Sequence, residues 1–321
     1  MKKRIGLVLA LALLALLLGE STAAGDGALW GLELCGRLLV PTLLPLFAAS
    51  GLLNRLGLGD VLAARLARPF GRLFGVSGAG ASAFLLGLCG GYPLGAATAA
   101  SLYRDGRIDR EEAEQLLSFC DNTGPAFAVA AIGRGALQST GAGLFLYGVQ
   151  VLSAVLTGLL LRRRERGGTA ALPGTALPFP QALAEAVSAA VTAMLGVCGW
   201  VIFFSALLFA VNAHGALGSL AGWLGATLGL ELHFAKAAVW SLLELSGTVG
   251  LLSALPLSPA TLALAAFALS WGGLCVHLQS LAVCGELSGS RRLGGKLLHG
   301  LLAAALSYIM STFFFLLMPP G

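Results

Sequence analysis

A chain of 321 residues with 57% hydrophobic and 11% charged residues has too little charge to cover a water-facing surface, since soluble domains carry about 25% charged residues. This excludes a soluble domain and predicts an all-α polytopic membrane protein whose partner is the lipid bilayer. The net charge of +5 does not imply nucleic acid, because the basic residues sit in short clusters between apolar runs, as cytoplasmic loops do under the positive-inside rule.

The first apolar run, residues 5–19, follows Lys2-Lys3-Arg4 and places the N-terminus in the cytoplasm. The same pattern, with small residues near Ala23-Ala24, also describes a secretory signal peptide. The many later runs favour an uncleaved helix, with residues 1–27 forming it and an external loop. Further apolar runs at 38–53, 137–161, 186–211, 261–283 and 297–318 pass or approach the spanning length. That length is about 18 residues, because each rises about 1.5 Å through about 30 Å of hydrocarbon. The six cysteines form no CxxC pair and no Cys/His cluster, so no metal, disulfide framework or cofactor is expected.

From residue 28 the chain divides into two similar halves, 28–163 and 181–321, joined by a cytoplasmic linker at 164–180. An apolar helix ends at Asn54 in one half and at Asn212 in the other. A short segment follows, 61–74 with Arg65, Arg68 and Arg72, or 217–230 with no Lys or Arg. Next comes an apolar run interrupted by Gly90-Gly91-Tyr92-Pro93-Leu94-Gly95, or by Ser246-Gly247-Thr248-Val249-Gly250. A second run is broken at Asp121-Asn122-Thr123-Gly124-Pro125, or at Trp271-Gly272-Gly273. Each half closes with an apolar helix, 141–161 or 294–318.

Charge orients the halves. The run 77–103 has basic residues at both ends, Arg72 before it and Arg104, Arg107 and Arg110 after it. A simple span would leave one basic end outside, whereas a re-entrant hairpin with its tip at 90–95 keeps both inside. Three net crossings after the first helix start the second half on the opposite side. Arg291, Arg292 and Lys296 then fall in a cytoplasmic loop. The pattern predicts two inverted-topology repeats, each with a re-entrant helical hairpin and a broken transmembrane helix.

Lipid offers no hydrogen bonds, so a break at membrane depth is tolerated only where protein or a cavity satisfies the backbone. Broken helices at corresponding places in two halves point to a transporter's binding site, and their N-termini suit anions. Many of the 45 glycines only let helices pack. Those at the breaks are candidates for substrate binding: Gly90, Gly91 and Gly95 with Tyr92 and Pro93, Gly247 with Ser246 and Thr248, and Gly272 with Gly273. Asn122, Thr123, Trp271, His277 and Gln279 join them as polar or aromatic neighbours. Asp121 and Glu244 are candidates to couple Na+ or H+, since ionisable groups at membrane depth are costly. Asp121 equally reads as a cap for the downstream half-helix.

Gly91-Tyr92-Pro93-Leu94-Gly95-Ala96, the run from Leu116 through Asp121 to Pro125, Leu243-Glu244 with Ser246-Gly247, and the run Gly272 to Gln279 together resemble the YlbJ-type sporulation integral membrane proteins. These sit in the wider group carrying the nucleoside-recognition, or Gate, domain, akin to concentrative nucleoside transporters with paired re-entrant hairpins. The resemblance runs from about Leu38 to the final helix. Cys120-Asp121 departs from the hydroxyl-rich pair expected there, and Leu278 stands where a small residue is common. The resemblance implies movement of dipicolinic acid across the outer forespore membrane during sporulation. The expected protein is therefore a transporter of a small anionic aromatic metabolite working by alternating access, with oligomerisation left open. Two hairpin N-termini would hold carboxylates and Tyr92 or Trp271 would stack on the ring. Alternatives are a nucleoside or other small-metabolite cargo, or a non-transporting scaffold. The lack of a P-loop argues against a self-contained ATP-driven pump; Ser118, Asp121 and His277 form no diagnostic hydrolase motif, so an enzyme is not expected.

Overall fold

The computed structural model describes residues 2–162, 177–287 and 290–317. Most of the predicted linker, and residues 318–321, lie outside the described residues. Among those described, every regular element is helical. Five helices are long and apolar enough to cross a membrane, or six if the bent pair Leu58–Phe74 and Gly78–Gly90 counts as one span.

Helix α1 (Lys2–Gly19) exposes Leu7, Val8, Leu9 and Leu18, an apolar surface suited to lipid. Helix α2 (Ser21–Arg55) begins at once, through the stretch expected to be an external loop. The small residues there make a packing face: a Cβ on Gly27 would lie 2.5 Å from the Ser205 carbonyl oxygen, and one on Gly31 2.9 Å from Ile202 Cα. Both glycines thus seat α2 against α9 (Phe179–Asn212), as small residues do between membrane helices.

Helix α3 (Leu58–Phe74) is amphipathic as expected, burying Ala63, Phe70 and Phe74 while Arg65, Arg68 and Arg72 stay exposed. It meets α4 (Gly78–Gly90) at 91°. Ser77 turns the corner: its hydroxyl accepts from Gly80 N at 3.2 Å and donates to Glu112 at 2.7 Å. Helices α4 and α5 (Leu94–Arg104) pack side by side around Gly91-Tyr92-Pro93. After α6 (Arg110–Leu116) the chain leaves the helix and resumes as α7 (Phe127–Ala136), so the break predicted at 121–125 is present. Helix α8 (Thr140–Leu160) closes this half.

The same order follows α9. Short α10 (Ala216–Leu228) precedes the paired α11 (Leu232–Leu243) and α12 (Leu245–Leu252). Then come α13 (Pro259–Trp271), a break at Gly272, α14 (Gly273–Cys284) and α15 (Ser290–Leu317). The α11–α12 turn lies at Glu244, whose backbone is extended (φ −148°, ψ 122°). Ser246, Gly247 and Thr248, expected as the interruption itself, instead form the first turn of α12.

Candidate functional site

Close backbone approach seats each hairpin on a break. A Cβ on Gly87 or Gly95 would lie 1.9 or 2.0 Å from the Cys120 carbonyl oxygen, so the first hairpin grips the first break through two bare glycines. Gly91 adopts φ +86° and lies against Gly124. In the second half Gly273, at φ +79°, lies against Leu243 and Glu244.

The two halves are then tied together. The last carbonyls of a helix lack intrahelical donors, and the break after Trp271 leaves that of Leu269 free for other partners. It accepts from the Tyr92 hydroxyl at 2.9 Å and from Thr123 Oγ1 at 2.6 Å. Tyr92→Phe removes this link from a buried site and is expected to cost about 1–3 kcal/mol, measured as a lowered unfolding midpoint in detergent.

A cavity opens between the two hairpin tips, the first break and the start of α14, with Gly272 and Gly273 themselves outside its lining. Tyr92 and Gly91, Thr123, Glu244 and Ser246, and Gln279 line it, against an apolar wall of Leu39, Leu43, Val197 and Val201. Gly90 and Gly95 back the tip without lining it, and Pro93 faces a neighbouring cavity that Gln279 shares. Asn122 is buried and donates to the Phe119 carbonyl at 2.8 Å, leaving its Oδ1 without a protein partner. Thr248 bonds back to the Glu244 carbonyl at 2.8 Å. Trp271 is turned away: its ring stacks on Phe267, its Nε1 donates to the Leu242 carbonyl, and His277 meets it edge-on at 4.2 Å. His277 is buried with neither ring nitrogen paired.

The two acids differ from each other. The Glu244 carboxylate accepts from the Ser246 amide at 2.9 Å and from the Gly247 amide, capping α12. Asp121 is fully buried in a network the sequence did not reveal. Its Oδ2 accepts from Ser280 Oγ at 2.6 Å and from Arg292 Nη2 at 3.3 Å, while its carbonyl accepts from Lys296 Nζ at 2.6 Å. Arg292 also donates to the His277 carbonyl at 3.2 Å.

Arg292 and Lys296 were expected in a cytoplasmic loop; they are 3% and 0% exposed, inside the bundle. A buried charge is costly unless paired, and Asp121 explains the inward turn of Arg292. The spacing carried a signal: 292, 296 and 299 recur at i, i+4 and i+7, one face of a helix. Gly295 on that helix lets α15 press onto Ser118, where a Cβ would come within 2.3 Å.

No family model matches the chain. In fold it is similar to solved concentrative nucleoside transporters. A CNTnw double variant in an outward-facing state superposes with TM-score 0.59 at 14% identity, covering 99% of this chain and 86% of the other. A CNTnw single variant in the state termed intermediate 3 gives 0.55 at 16%, covering 100% and 86%. The protein is thus an all-α integral membrane protein with a transporter-like fold. In sequence it is 31% identical over 216 residues, 60% of this chain, to the sporulation integral membrane protein YlbJ of Bacillus subtilis (strain 168). The match spans 53%, about half, of that relative's length.

Proposed function

We propose that the protein is a secondary transporter moving a small anionic aromatic metabolite, dipicolinic acid in the first instance, by alternating access. The convergence of both hairpin tips, the first helix break and the start of α14 on one half-open cavity carries this reading, because unwound backbone at membrane depth is sustained where it lines a path or site. In this reading the two halves stand in opposite orientation, as the charge pattern of the sequence suggests, and the hairpins enter from opposite faces. Tyr92 offers the ring surface, and Thr123, Ser246 and Gln279 offer polar contacts. Two cations, Arg292 and Lys296, against the single carboxylate of Asp121 favour an anion nearby. The capped N-terminus of α12 is already filled by Glu244, so the first hairpin and Gln279 take the carboxylates. The likeness to a sporulation integral membrane protein supports a membrane of a sporulating cell; in this reading it is the outer forespore membrane, and the Lys2-Lys3-Arg4 cluster keeps the N-terminus cytoplasmic.

A nucleoside is the second reading, favoured by the transporter fold and by Glu244 as an acceptor on the cavity wall. Ligand-induced stabilisation of the purified protein separates the two. Dipicolinate is expected to raise the melting midpoint, and Tyr92→Ala to abolish the shift. A shift with uridine alone moves the assignment to a nucleoside. No shift with either contradicts both.

A further inference from the structure

We infer that Lys296 is a tethered cation, its ammonium occupying the place of a free monovalent metal ion where the first hairpin meets the first helix break. Helix breaks supply carbonyl oxygens without helical partners, and such oxygens beside a carboxylate are ready cation ligands. Here the chain fills that place itself. Lys296 Nζ lies 2.6 Å from the Asp121 carbonyl, 3.2 Å from the Tyr92 hydroxyl and 3.3 Å from His299 Nδ1.

An ammonium has three donors and no acceptor, and three groups surround this one. The pattern is self-consistent. His299 Nδ1 accepts, so its Nε2 carries the hydrogen and donates to the Gln150 carbonyl at 3.2 Å. The Tyr92 oxygen accepts from Lys296 and passes its own hydrogen to the Leu269 carbonyl. Asp121 gives the ammonium its backbone carbonyl and not its carboxylate: Oδ2 is held by Ser280 and Arg292, and Oδ1 is buried without a hydrogen-bond partner.

The consequence is that the ground state needs no sodium. The inference rests on the transporter reading only for that bearing on the cycle, and its test uses no substrate. The full chain in detergent is melted in sodium chloride and in choline chloride at matched ionic strength. A site binding sodium at about a hundred times its Kd would raise the folding equilibrium about a hundredfold. The expected wild-type result is no difference between the two salts, and a clear sodium-dependent rise in midpoint overturns the inference.

A second arm uses Lys296→Met, which keeps the stem but not the charge, and Lys296→Ala, which opens the site. Both are expected to melt lower than wild type. The Lys296→Ala midpoint should recover with n-propylammonium but not with 1-propanol, whereas wild type responds to neither. A Lys296→Met protein as stable as wild type, or rescue of Lys296→Ala by 1-propanol equally well, would show a packing role and overturn the inference. If the variants fail to fold, the wild-type salt comparison still decides. Failure here leaves dipicolinate binding untouched, and absence of dipicolinate binding leaves these melts untouched.

Discussion

Arg292→Met is expected to lower stability by about 3–5 kcal/mol, the usual cost of removing one partner from a buried ion pair. The side chains of Arg292 and Asp121 are 3% and 0% exposed, so water cannot take over the role of the lost guanidinium. The substitution strands the carboxylate with Ser280 alone on Oδ2, and deprives the His277 carbonyl of its donor. Adding Asp121→Asn in the same chain should restore most of the loss, because it is the uncompensated charge that destabilises. Arg110, paired with Glu114 on the exposed start of α6, supplies the control: Arg110→Ala is expected to cost roughly 0–1 kcal/mol. Denaturation of the four proteins in one detergent checks the set. A loss for Arg292→Met no larger than for Arg110→Ala would refute the pairing.

The second large effect is steric. Gly95→Ala places a methyl 2.0 Å from the Cys120 carbonyl oxygen, and Gly87→Ala places one 1.9 Å from the same atom. Backbone cannot rotate aside as a side chain does, so the hairpin must lift from the break. Overpacking of this kind costs about 1–3 kcal/mol, occasionally more. Lifting the tip also parts Tyr92 from Leu269, so transport should fall by at least roughly tenfold, the equivalent of about 1.4 kcal/mol on a barrier. Gly106→Ala is the contrast. Gly106, unlike Gly87 and Gly95, has a positive φ, +67°, but meets nothing within 4 Å, so its cost is backbone strain alone. Uptake measured at equal protein density distinguishes the two, with Gly106→Ala retaining activity.

The broken helices were legible because their chemistry is local. Gly90 to Gly95 and Asp121 to Pro125 put helix breakers and polar groups inside apolar runs, and the chain does leave the helix at both places. At the second hairpin the signal lay slightly off. Small residues at 246–250 looked like the break, but a glutamate that caps the following amides sets the turn at residue 244. The loop expected up to residue 27 failed for a related reason: glycines that read as coil are the contact face for α9.

Arg292 and Lys296 escaped notice because a loop-charge rule counts residues without asking which face of a helix they occupy. Their partner is 171 to 175 residues away in sequence, beyond any local pattern. Trp271 and His277 were expected to face the cargo by their nearness to the break. They face each other instead: Trp271 stacks on Phe267, one turn back on the same helix, and donates to the Leu242 carbonyl.

Uptake of labelled dipicolinate into proteoliposomes, with labelled uridine in parallel, tests the transport proposal most directly. Accumulation above empty vesicles by wild type, reduced by Gly95→Ala and unchanged when choline replaces sodium, is the expected result. No uptake of either compound above empty vesicles, under proton, sodium or no gradient, would contradict it.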